Sequence, residues 1–398
     1  MKHSETSGNY TMLSAQWSTG RNALMLAALI SIVACVAGYF QDPDRFFRSY
    51  LVAFAFTCAI GLAAFFFVMV QYLSGSAWSV VMRRIMENIM ITLPVGALLF
   101  LPLAFGLNHI YPWANAEFMK TSEGLRAKSD FLVPNFFVAR TYVYFLLWSI
   151  WIFALYRQST KQDATHSIQQ MRVASRWSEP GLLLAVAVGT LAAYDWLMSL
   201  EPSWYSTIFG LYYLADGAVG FFAVLILICL GFRKAGVLDK VINVEHYHDL
   251  GKWLFAMTCF YTYMGFSQFL LIWYANLPDE TLFFRHRMPG TWLYISLSLP
   301  FIRFFIPFFT LISRPAKRSL KILTFMSVWS LVVVYLDLYW IVMPVFYPNG
   351  PQLHWLDAAT MGAVLSVTGL MFWSRFRRHA VAPVGDLRFE QSLHFENA

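Results

Sequence analysis

Residues 245–281 read EHYHDLGKWLFAMTCFYTYMGFSQFLLIWYANLPDET, which is a charged edge, an apolar segment and a second charged edge. The apolar part, residues 253–274, can cross a hydrocarbon core of about 30 Å as a helix, because each residue adds about 1.5 Å. Tyr261, Gly265 and Gln268 recur at the spacing of one helical face, with Met264 beside them. This stretch therefore predicts a transmembrane helix whose polar edge faces other helices.

The composition extends this prediction to the whole chain. Apolar residues make up 58% of the sequence and charged residues 13%, and the mean hydropathy is +0.54. These values exclude a soluble globular protein and indicate an all-α polytopic membrane protein. Residues 1–21 are polar and lack the apolar core of a cleavable signal peptide, so we expect the first span to direct insertion.

The hydropathy pattern predicts ten spans. They cover residues 22–40, 51–72, 89–107, 134–156, 180–199, 208–232, 253–274, 292–312, 322–343 and 353–373. An even number of spans places both termini on one side. That side carries 20 of the 29 Lys and Arg residues, the other side carries 7, and Arg140 and Arg303 lie within spans. Because Lys and Arg accumulate in cytoplasmic loops, both termini are predicted to be cytoplasmic.

The predicted organisation is a cytoplasmic tail (1–21), a membrane domain of ten helices (22–374) and a second cytoplasmic tail (375–398). The longest connections are 108–133 and 157–179, and the second is expected to be a solvated cytoplasmic link. The C-terminal tail is expected to be mobile or to lie on a partner. The net charge of +7 is explained by a basic rim that faces anionic lipid, so no nucleic acid is needed.

The positions of the histidines and cysteines bear on cofactors. None of the nine histidines lies in the middle of a span, where a membrane cytochrome would hold haem. The cysteines lie in apolar spans without a CxxC spacing and are expected to be small buried hydrophobic residues: Cys35, Cys58, Cys229 and Cys259. We therefore expect no haem, iron–sulfur cluster or copper site in this chain, and partner subunits would supply any metal.

Ionisable residues inside spans are costly, so they tend to be paired or functional. Five such residues are singled out: Arg140, Asp195, Asp216, Arg303 and Asp337. Arg303 is too deep to reach the interface easily, and we expect it to pair with one of the acids. For Arg140 two hypotheses stand, an ion pair or a side chain that extends to the nearby interface.

Two spans share a pattern near their ends. Residues 192–202 read AAYDWLMSLEP and residues 334–344 read VYLDLYWIVMP, so Asp195 and Asp337 are each followed seven residues later by Pro. The offset of four spans suggests a repeat that relates spans 2–5 to spans 6–9. The neighbouring aromatic residues are expected either to wall a site and stack on the ring of a bound molecule or to anchor the helices at the interface. They are Tyr194, Trp196, Tyr339 and Trp340.

Four stretches together resemble a known family. They are residues 244–281, SAWSVVMRRIMEN at 76–88, YDWLMSLEPSWYSTIFG at 194–210, and VYLDLYWIVMP. Over residues 20–375 the chain resembles the NrfD/PsrC-type membrane subunits. Within that superfamily it is most similar to the F subunit (quinone-binding subunit 2) of alternative complex III, a bacterial quinol:cytochrome c oxidoreductase.

The resemblance implies two four-helix bundles, spans 2–5 and 6–9, with two peripheral helices, in a bacterial inner membrane. It implies a subunit without bound redox centres that can bind menaquinone or ubiquinone. The implied partners are a sister NrfD-like membrane subunit, an iron–sulfur subunit, multihaem and monohaem cytochrome c subunits and small membrane-anchored subunits.

Two functions follow as hypotheses. The first is a subunit that contributes quinone binding, a proton path or both to respiratory electron transfer. The second is a stand-alone secondary transporter that uses the intramembrane acids, which broken helices at the midplane would favour. Pro94, Pro102, Pro300 and Pro307 lie within two spans and keep this alternative open.

Two sets of residues are candidates for the chemistry. In the outer half, Asp195 and Asp337 are expected to form one polar core with Arg303, alongside Asp216, Arg140, Gln268 and the aromatic residues above. The plainer alternative is that each Asp hydrogen-bonds a neighbouring helix. On the cytoplasmic side, a cluster is expected to form the inner mouth of a proton path, unless it is an ordinary solvated loop. Its members are Glu245, His246, His248 and Asp249, with Arg83, Arg84 and Glu87 from the neighbouring loop.

Overall fold

A computed structural model describes residues 10, 12, 14–239 and 241–397, and this part of the chain is helical with no strand. Ten helices in it are long and apolar enough to cross a membrane, which confirms the predicted number of spans. They are α1 (Ser14–Gln41), α2 (Pro43–Leu73), α3 (Val80–Phe105), α4 (Pro134–Thr165), α5 (Ile168–Leu200), α6 (Phe209–Lys234), α7 (Val244–Ala275), α8 (Trp292–Leu311), α9 (Leu320–Val345) and α10 (Trp355–Arg375).

The helices extend beyond the predicted apolar spans at two places. Helix α1 begins at Ser14, inside the predicted tail 1–21, of which residues 1–9, 11 and 13 lie outside the described part. The predicted link 157–179 is helical except at residues 166–167, so α4 and α5 form one long helical hairpin. Pro180, the first residue of the predicted span 180–199, lies inside α5. The packing of α5 along α4 stabilises the helix by more free energy than the loss of one backbone hydrogen bond at the proline costs.

Helices α3 and α8 are irregular, and prolines mark both. In α3 the regular helix Val80–Met90 gives way to a 3-10 turn at Leu93–Val95 and to the short helices Gly96–Leu99 and Leu101–Phe105. In α8, Trp292–Pro300 is followed by a π-helical turn at Phe301–Phe305 and then by Ile306–Leu311. A proline cannot donate its backbone hydrogen bond, and π turns often occur at functional sites.

Short helices fill the connections. Between α3 and α4 these are Leu107–Ile110, a 3-10 turn at Pro112–Ala114, Ala116–Met119 and Glu123–Arg126. Pro278–Arg285 lies between α7 and α8, Arg314–Arg318 precedes α9, and Phe389–Leu393 follows α10.

Helix α2 is the centre of the packing and the most buried of the ten helices. It contacts α3, α5, α6 and α10, while α6 also packs on α5, α7 and α9. The backbones of α2 and α6 approach closely, since a Cβ atom on Gly217 would collide with Ala59. Small residues at helix crossings are typical of membrane bundles. Helix α4 packs on α5, α8 on α7, and α1 on α10.

The start of α1 meets the end of α10, where the Trp17 indole donates to the Trp373 carbonyl at 3.3 Å and Trp373 donates to Trp17 at 2.9 Å. We call this end of the molecule the terminal side and the opposite end the far side. Since consecutive spans alternate in direction, Asp195 in α5 and Asp337 in α9 both lie toward the far side.

The C-terminal segment folds back on the terminal side of its own chain, which corrects the prediction of a mobile tail. We call residues 379–397 the C-terminal strap. The Val381 amide donates to the Tyr10 carbonyl at 2.8 Å. The Ser392 hydroxyl accepts from Val81 at 3.2 Å and donates to the Trp78 carbonyl at 3.0 Å. Buried contacts of this kind hold a terminus in place.

Candidate functional site

A buried carboxylate bound by two phenols forms the centre of the candidate site. Asp337 in α9 is 1% exposed. The Tyr212 hydroxyl of α6 lies 2.8 Å from each carboxylate oxygen, and the Tyr261 hydroxyl of α7 donates to one of them at 2.7 Å. The two hydroxyls are 2.6 Å apart. Three helices therefore bring four oxygen atoms into one hydrogen-bonded group.

A second acid and the only arginine of α8 lie beside this group. Arg303 forms an ion pair with Asp216 of α6, and its guanidinium lies 3.7 Å from the centre of the Tyr261 ring. Arg303 is 5% exposed and sits in the π-helical turn between Pro300 and Pro307. The irregular turn of α8 thus places a cation against the phenols that hold Asp337.

The charges in this cluster do not balance when both acids are ionised. Arg303 supplies one positive charge, whereas Asp216 and Asp337 supply two negative charges. A net charge in a buried site is costly, and one bound proton removes it. Asp337 is bound by hydroxyls rather than by a cation, so its carboxylate is placed to gain and lose that proton.

The cluster opens into a cavity of about 440 Å³ between α6, α7, α8 and α9. Its polar lining includes Arg303, Asp337 and Gln268. Aromatic side chains dominate the rest and include Phe266, Phe269, Phe283, Phe284, Phe301 and Phe304. An apolar cavity with a few convergent polar groups is the usual form of a small-molecule site.

The polar edge predicted on α7 faces this cavity. Tyr261, Gly265 and Gln268 all line it, and Tyr261, Met264 and Gln268 are buried against other helices as predicted. The Ser206 hydroxyl lies 3.5 Å from the Gln268 side-chain oxygen. The helical spacing in the sequence was therefore sufficient to identify the correct face.

An arginine lies behind the cavity wall, with its guanidinium 3.5 Å from the ring centre of Phe283 and 5.3 Å from that of Trp340, both of which line the cavity. Arg287, which is 1% exposed, donates to the carbonyls of Phe283 and Ile341 at 2.6 Å each and pairs with Glu201 at 3.3 Å. Burial lowers the pKa of Arg287, and Glu201 opposes that shift. The partly exposed His286 ring lies 2.8 Å from Glu201, so titratable groups lead from the cavity wall to the far surface.

Asp195 forms a separate group. Arg140 binds its two oxygens at 2.8 and 3.1 Å, and the Tyr144 hydroxyl donates at 2.8 Å. The Arg140 guanidinium also lies 3.8 Å from the Phe131 ring centre and 4.4 Å from that of Phe136. Arg140 thus forms an ion pair, with its side chain 11% exposed.

The prediction of one polar core was wrong, because Asp195 and Asp337 belong to different groups. Among the described residues, no hydrogen bond or ion pair joins the Asp195 group to the Asp337 group. Helices α5 and α9 both contact α2, but each Asp faces the helices of its own half of the chain.

The predicted aromatic walls are also divided. Trp340 lines the cavity and donates to the Ser296 hydroxyl at 2.8 Å. Trp196 is buried elsewhere, against Phe145, with its indole near Thr141. Tyr194 donates to the Thr207 carbonyl and Tyr339 to the Gln352 carbonyl, so neither lines the cavity.

The predicted cytoplasmic cluster forms two networks rather than one. His246 is fully buried, lies 2.7 Å from the Asn243 side chain and packs against Phe395 of the C-terminal strap. His248 and Asp249 are buried as well, and Glu245 pairs with Arg318. These residues are not a solvated loop.

Arg83, Arg84 and Glu87 form the second network at the start of α3. Glu87 lies 3.4 Å from Arg83 and 3.1 Å from Arg84, and Arg84 also pairs with Asp163 at 2.7 Å. Arg83 pairs at 2.7 Å with Asp386 of the strap. Burial would raise the pKa of Asp386, but Arg83 and Arg388 outweigh it and hold the pKa below its usual range. The strap therefore contacts both networks, through Phe395 at His246 and through Asp386 at Arg83.

Sequence reasoning missed several partners. Tyr212 lies four residues before Asp216, and Tyr144 lies four residues after Arg140, so helical spacing could have placed each on the face of its charged neighbour. The buried pair Arg45–Asp357, at 2.5 Å and with Ser49 at 2.6 Å, was also missed. Both of its charged members lie in the first turn of a helix; Arg45 falls between two predicted spans, and Asp357 falls inside the predicted span 353–373 but was not singled out.

Two further findings bear on identity and cofactors. Within the described ranges, no three or more His, Cys, Asp or Glu side chains are grouped so that they could hold a metal ion. The four cysteines are free, and three of them are buried. A comparison of the sequence with protein-family models and with curated proteins finds no match.

Proposed function

We propose that this chain is an NrfD/PsrC-type membrane subunit, similar to the F subunit of alternative complex III, in a bacterial inner membrane. In this proposal the cavity beside Asp337 binds the ring of a quinol or quinone, and the Asp337 group exchanges protons with it. The observation that carries the proposal is the Asp337–Tyr212–Tyr261 group, with Arg303 and Asp216, opening into an aromatic cavity.

The chemistry of a quinol fits this arrangement. A quinol needs hydrogen-bond partners for two hydroxyls, flat apolar contacts for its ring and an apolar exit for its tail. Asp337, Tyr212 and Gln268 offer the polar contacts, and the phenylalanines of α7 and α8 offer the ring contacts. Oxidation of a quinol releases two protons, and a carboxylate that alternates between two charge states can accept one of them.

The proposal includes the finer fold and its orientation. We infer that α2–α5 and α6–α9 are two four-helix bundles with α1 and α10 outside, and that the terminal side is cytoplasmic. The packing of α4 on α5, of α6 on α7 and α9, and of α1 on α10 supports this grouping. The inferred partners are a sister membrane subunit, an iron–sulfur subunit, cytochrome c subunits and small membrane-anchored subunits. In this proposal the iron–sulfur subunit holds the iron–sulfur clusters, and the cytochrome c subunits hold haem c.

The experiment is purification of the tagged chain in mild detergent, followed by labelling with a photoreactive quinone. We expect haem-bearing partners to copurify and the label to attach to α7 or α8 near the cavity. Excess unlabelled quinol should prevent the labelling. Purification of the chain alone, together with labelling that quinol does not prevent, would refute the proposal.

A secondary transporter remains the second candidate because α8 is broken next to a buried charge cluster. The π-helical turn at Phe301–Phe305 places Arg303 in the cavity, and broken helices of this kind form ion and substrate sites in transporters. Reconstituted chain alone would then show solute uptake driven by an ion gradient. Absence of haem-bearing partners in the same preparation would favour this candidate.

A further inference from the structure

A second cavity lies on the other side of α9 from the Asp337 cavity. Its volume is about 630 Å³, and its walls come from α2, α3, α6, α9 and α10. Tyr335 lines this cavity and Asp337 lines the other, because two residues turn a helix through about 200°. The two cavities share no lining residue. They are therefore separate sites with one helix between them.

Two hydrogen-bond donors lie at the far-side end of this second cavity. The His354 Nδ1 atom accepts from the Leu356 amide at 3.3 Å, so in a neutral ring the proton lies on Nε2. The Tyr335 hydroxyl is the second donor, and both residues line the cavity. Among the described residues, neither the His354 Nε2 atom nor this hydroxyl has a hydrogen-bond partner. The cavity can therefore bind a ligand that carries acceptor oxygens.

The charges around these donors are already balanced. Asp357 also lines the cavity, but its carboxylate accepts from Arg45 at 2.5 Å and from Ser49 at 2.6 Å. The lining contains no Lys or Arg, and Arg45 is 2% exposed. A charged headgroup would therefore enter without a counter-ion, which is costly in a buried site. The cavity favours a neutral headgroup.

The depth of the donors supports the same conclusion. The Tyr339 hydroxyl of α9 donates to the Gln352 carbonyl, just before α10 begins, and α9 continues to Val345. Six residues add about 9 Å to a helix, so the start of α10 is recessed by about that distance from the far-side end of α9. A phosphate group would have to lose its hydration to reach this depth.

An apolar groove leads from the donors toward the terminal side. Helix α10 lines it from Asp357 to Phe372 at spacings of three or four, which is one helical face about 22 Å long. One leaflet of the hydrocarbon core is about 15 Å deep, so the groove passes the midplane. Val332 and Leu365 line the groove and are 59% and 43% exposed, so it is open to the side. This shape fits one long apolar tail that enters from the lipid.

We propose that the second cavity binds an isoprenoid quinone, with a ring oxygen at His354 and Tyr335 and the tail along α10. A neutral ring with acceptor oxygens and a single long apolar tail meets each of the requirements above. Tyr335, His354 and Phe56 offer aromatic contacts to the ring. The choice of ligand rests on the proposed function, whereas the cavity and its residues are separate from the Asp337 site.

The test is labelling of the full chain with a photoreactive quinone, alone or with excess unlabelled quinone or phosphatidylethanolamine. We expect label within residues 331–372 as well as in α7 or α8, and only the unlabelled quinone should prevent it. In the variant Tyr335→Phe/His354→Asn, half-maximal labelling of 331–372 should need about tenfold more quinone, because two hydrogen bonds are lost. Asn also caps helices, so this variant keeps the start of α10. Labelling of α7 and α8 should not change.

A control and a second variant complete the test. Tyr194→Phe removes a phenol hydroxyl that donates to the Thr207 carbonyl outside both cavities, and it should label as the wild type does. Ala358 is exposed and lines the second cavity, so Ala358→Trp can fill it without a change of charge and should block labelling of 331–372.

Three results would overturn the inference. They are label in α7 or α8 alone, protection of 331–372 by phosphatidylethanolamine, and undiminished labelling of 331–372 in both cavity variants. Label in α7 or α8 alone would leave the proposed function standing. Label in 331–372 alone would instead support the second cavity and contradict the proposed role of the Asp337 cavity.

Discussion

Asp195 and Asp337 have similar local sequences but different surroundings. Arg140 binds Asp195 through both carboxylate oxygens, so the charges cancel. Asp337 receives only phenol hydroxyls, while Arg303 pairs with Asp216. The first arrangement fixes a carboxylate as a counter-ion, and the second leaves one able to change protonation. The identity of the hydrogen-bond partner, rather than the local sequence, separates a structural acid from a candidate functional one.

The largest expected effect is a loss of folding stability when the arginine of either group is replaced. Arg303→Gln leaves two buried acids without a cation and should lower the free energy of unfolding by about 4 kcal/mol. Arg140→Gln should cost less, about 2 kcal/mol, because the Arg140 side chain is 11% exposed and Tyr144 still binds Asp195. Thermal unfolding in detergent measures both. The double variant Arg303→Gln/Asp216→Asn should recover most of the lost free energy of unfolding. Equal losses in the two single variants would contradict the proposed difference between the two groups.

Replacing each Asp by Asn separates the two roles in turnover. Under the proposed function, Asp337→Asn should lower quinol:cytochrome c turnover about 100-fold, because Asn cannot accept a proton. Asp195→Asn should leave turnover within about threefold of the wild type in complexes that assemble, because its proposed role is structural. Turnover normalised to haem content is the measurement. Equal turnover in the two variants would show that the groups are functionally alike.

Removing one phenol hydroxyl from each group should give a smaller difference in turnover between the two variants. Tyr212→Phe removes one of the two phenol donors to Asp337, and a hydrogen bond to a charged group contributes about 1.5–3 kcal/mol, so turnover should fall at least tenfold. Tyr144→Phe leaves the two contacts from Arg140 in place and should change turnover less than threefold. The pH dependence of turnover should move only in Tyr212→Phe. A shift in Tyr144→Phe would place a titrating group at Asp195.

Asp386 in the strap provides a third case, an acid paired with Arg83 as Asp195 is with Arg140. Because its pKa is lowered in the folded state, its stabilisation is present above about pH 4 and is lost as the pH falls below that value. Burial lowers the pKa of His379, and Arg84, Arg375 and Arg378 add to this effect, so protonation of that ring destabilises the strap below about pH 6.5. Hydrogen exchange of residues 379–397 should therefore accelerate in two stages on acidification.

The variant Asp386→Asn should accelerate that exchange about tenfold at pH 7 and remove only the lower stage. His379→Asn should remove only the upper stage. A single stage in the wild type, or a loss of both stages in Asp386→Asn, would contradict the paired-acid interpretation.

The sequence by itself determined the membrane class, the number of spans and the inward face of α7. These depend on local properties, namely the length of apolar runs relative to the hydrocarbon core and the helical spacing of Tyr261, Gly265 and Gln268. It also identified five of the charged residues that need partners inside the membrane, but not Asp357. It did not show how far α4 and α5 extend beyond the apolar runs, because hydropathy does not report helical hairpins held by packing.

Only the tertiary structure decided which partners meet. Tyr212 lies 125 residues before Asp337, and Arg45 pairs with Asp357 across 312 residues. Such contacts depend on the rotation and depth of each helix in the bundle, which follow from packing around α2 and not from any local pattern. The C-terminal strap is the same case, since its polar composition predicts solvent exposure but Arg83 and Val81 supply buried partners. Pairing in this protein is a long-range property, and the role of each acid follows from it.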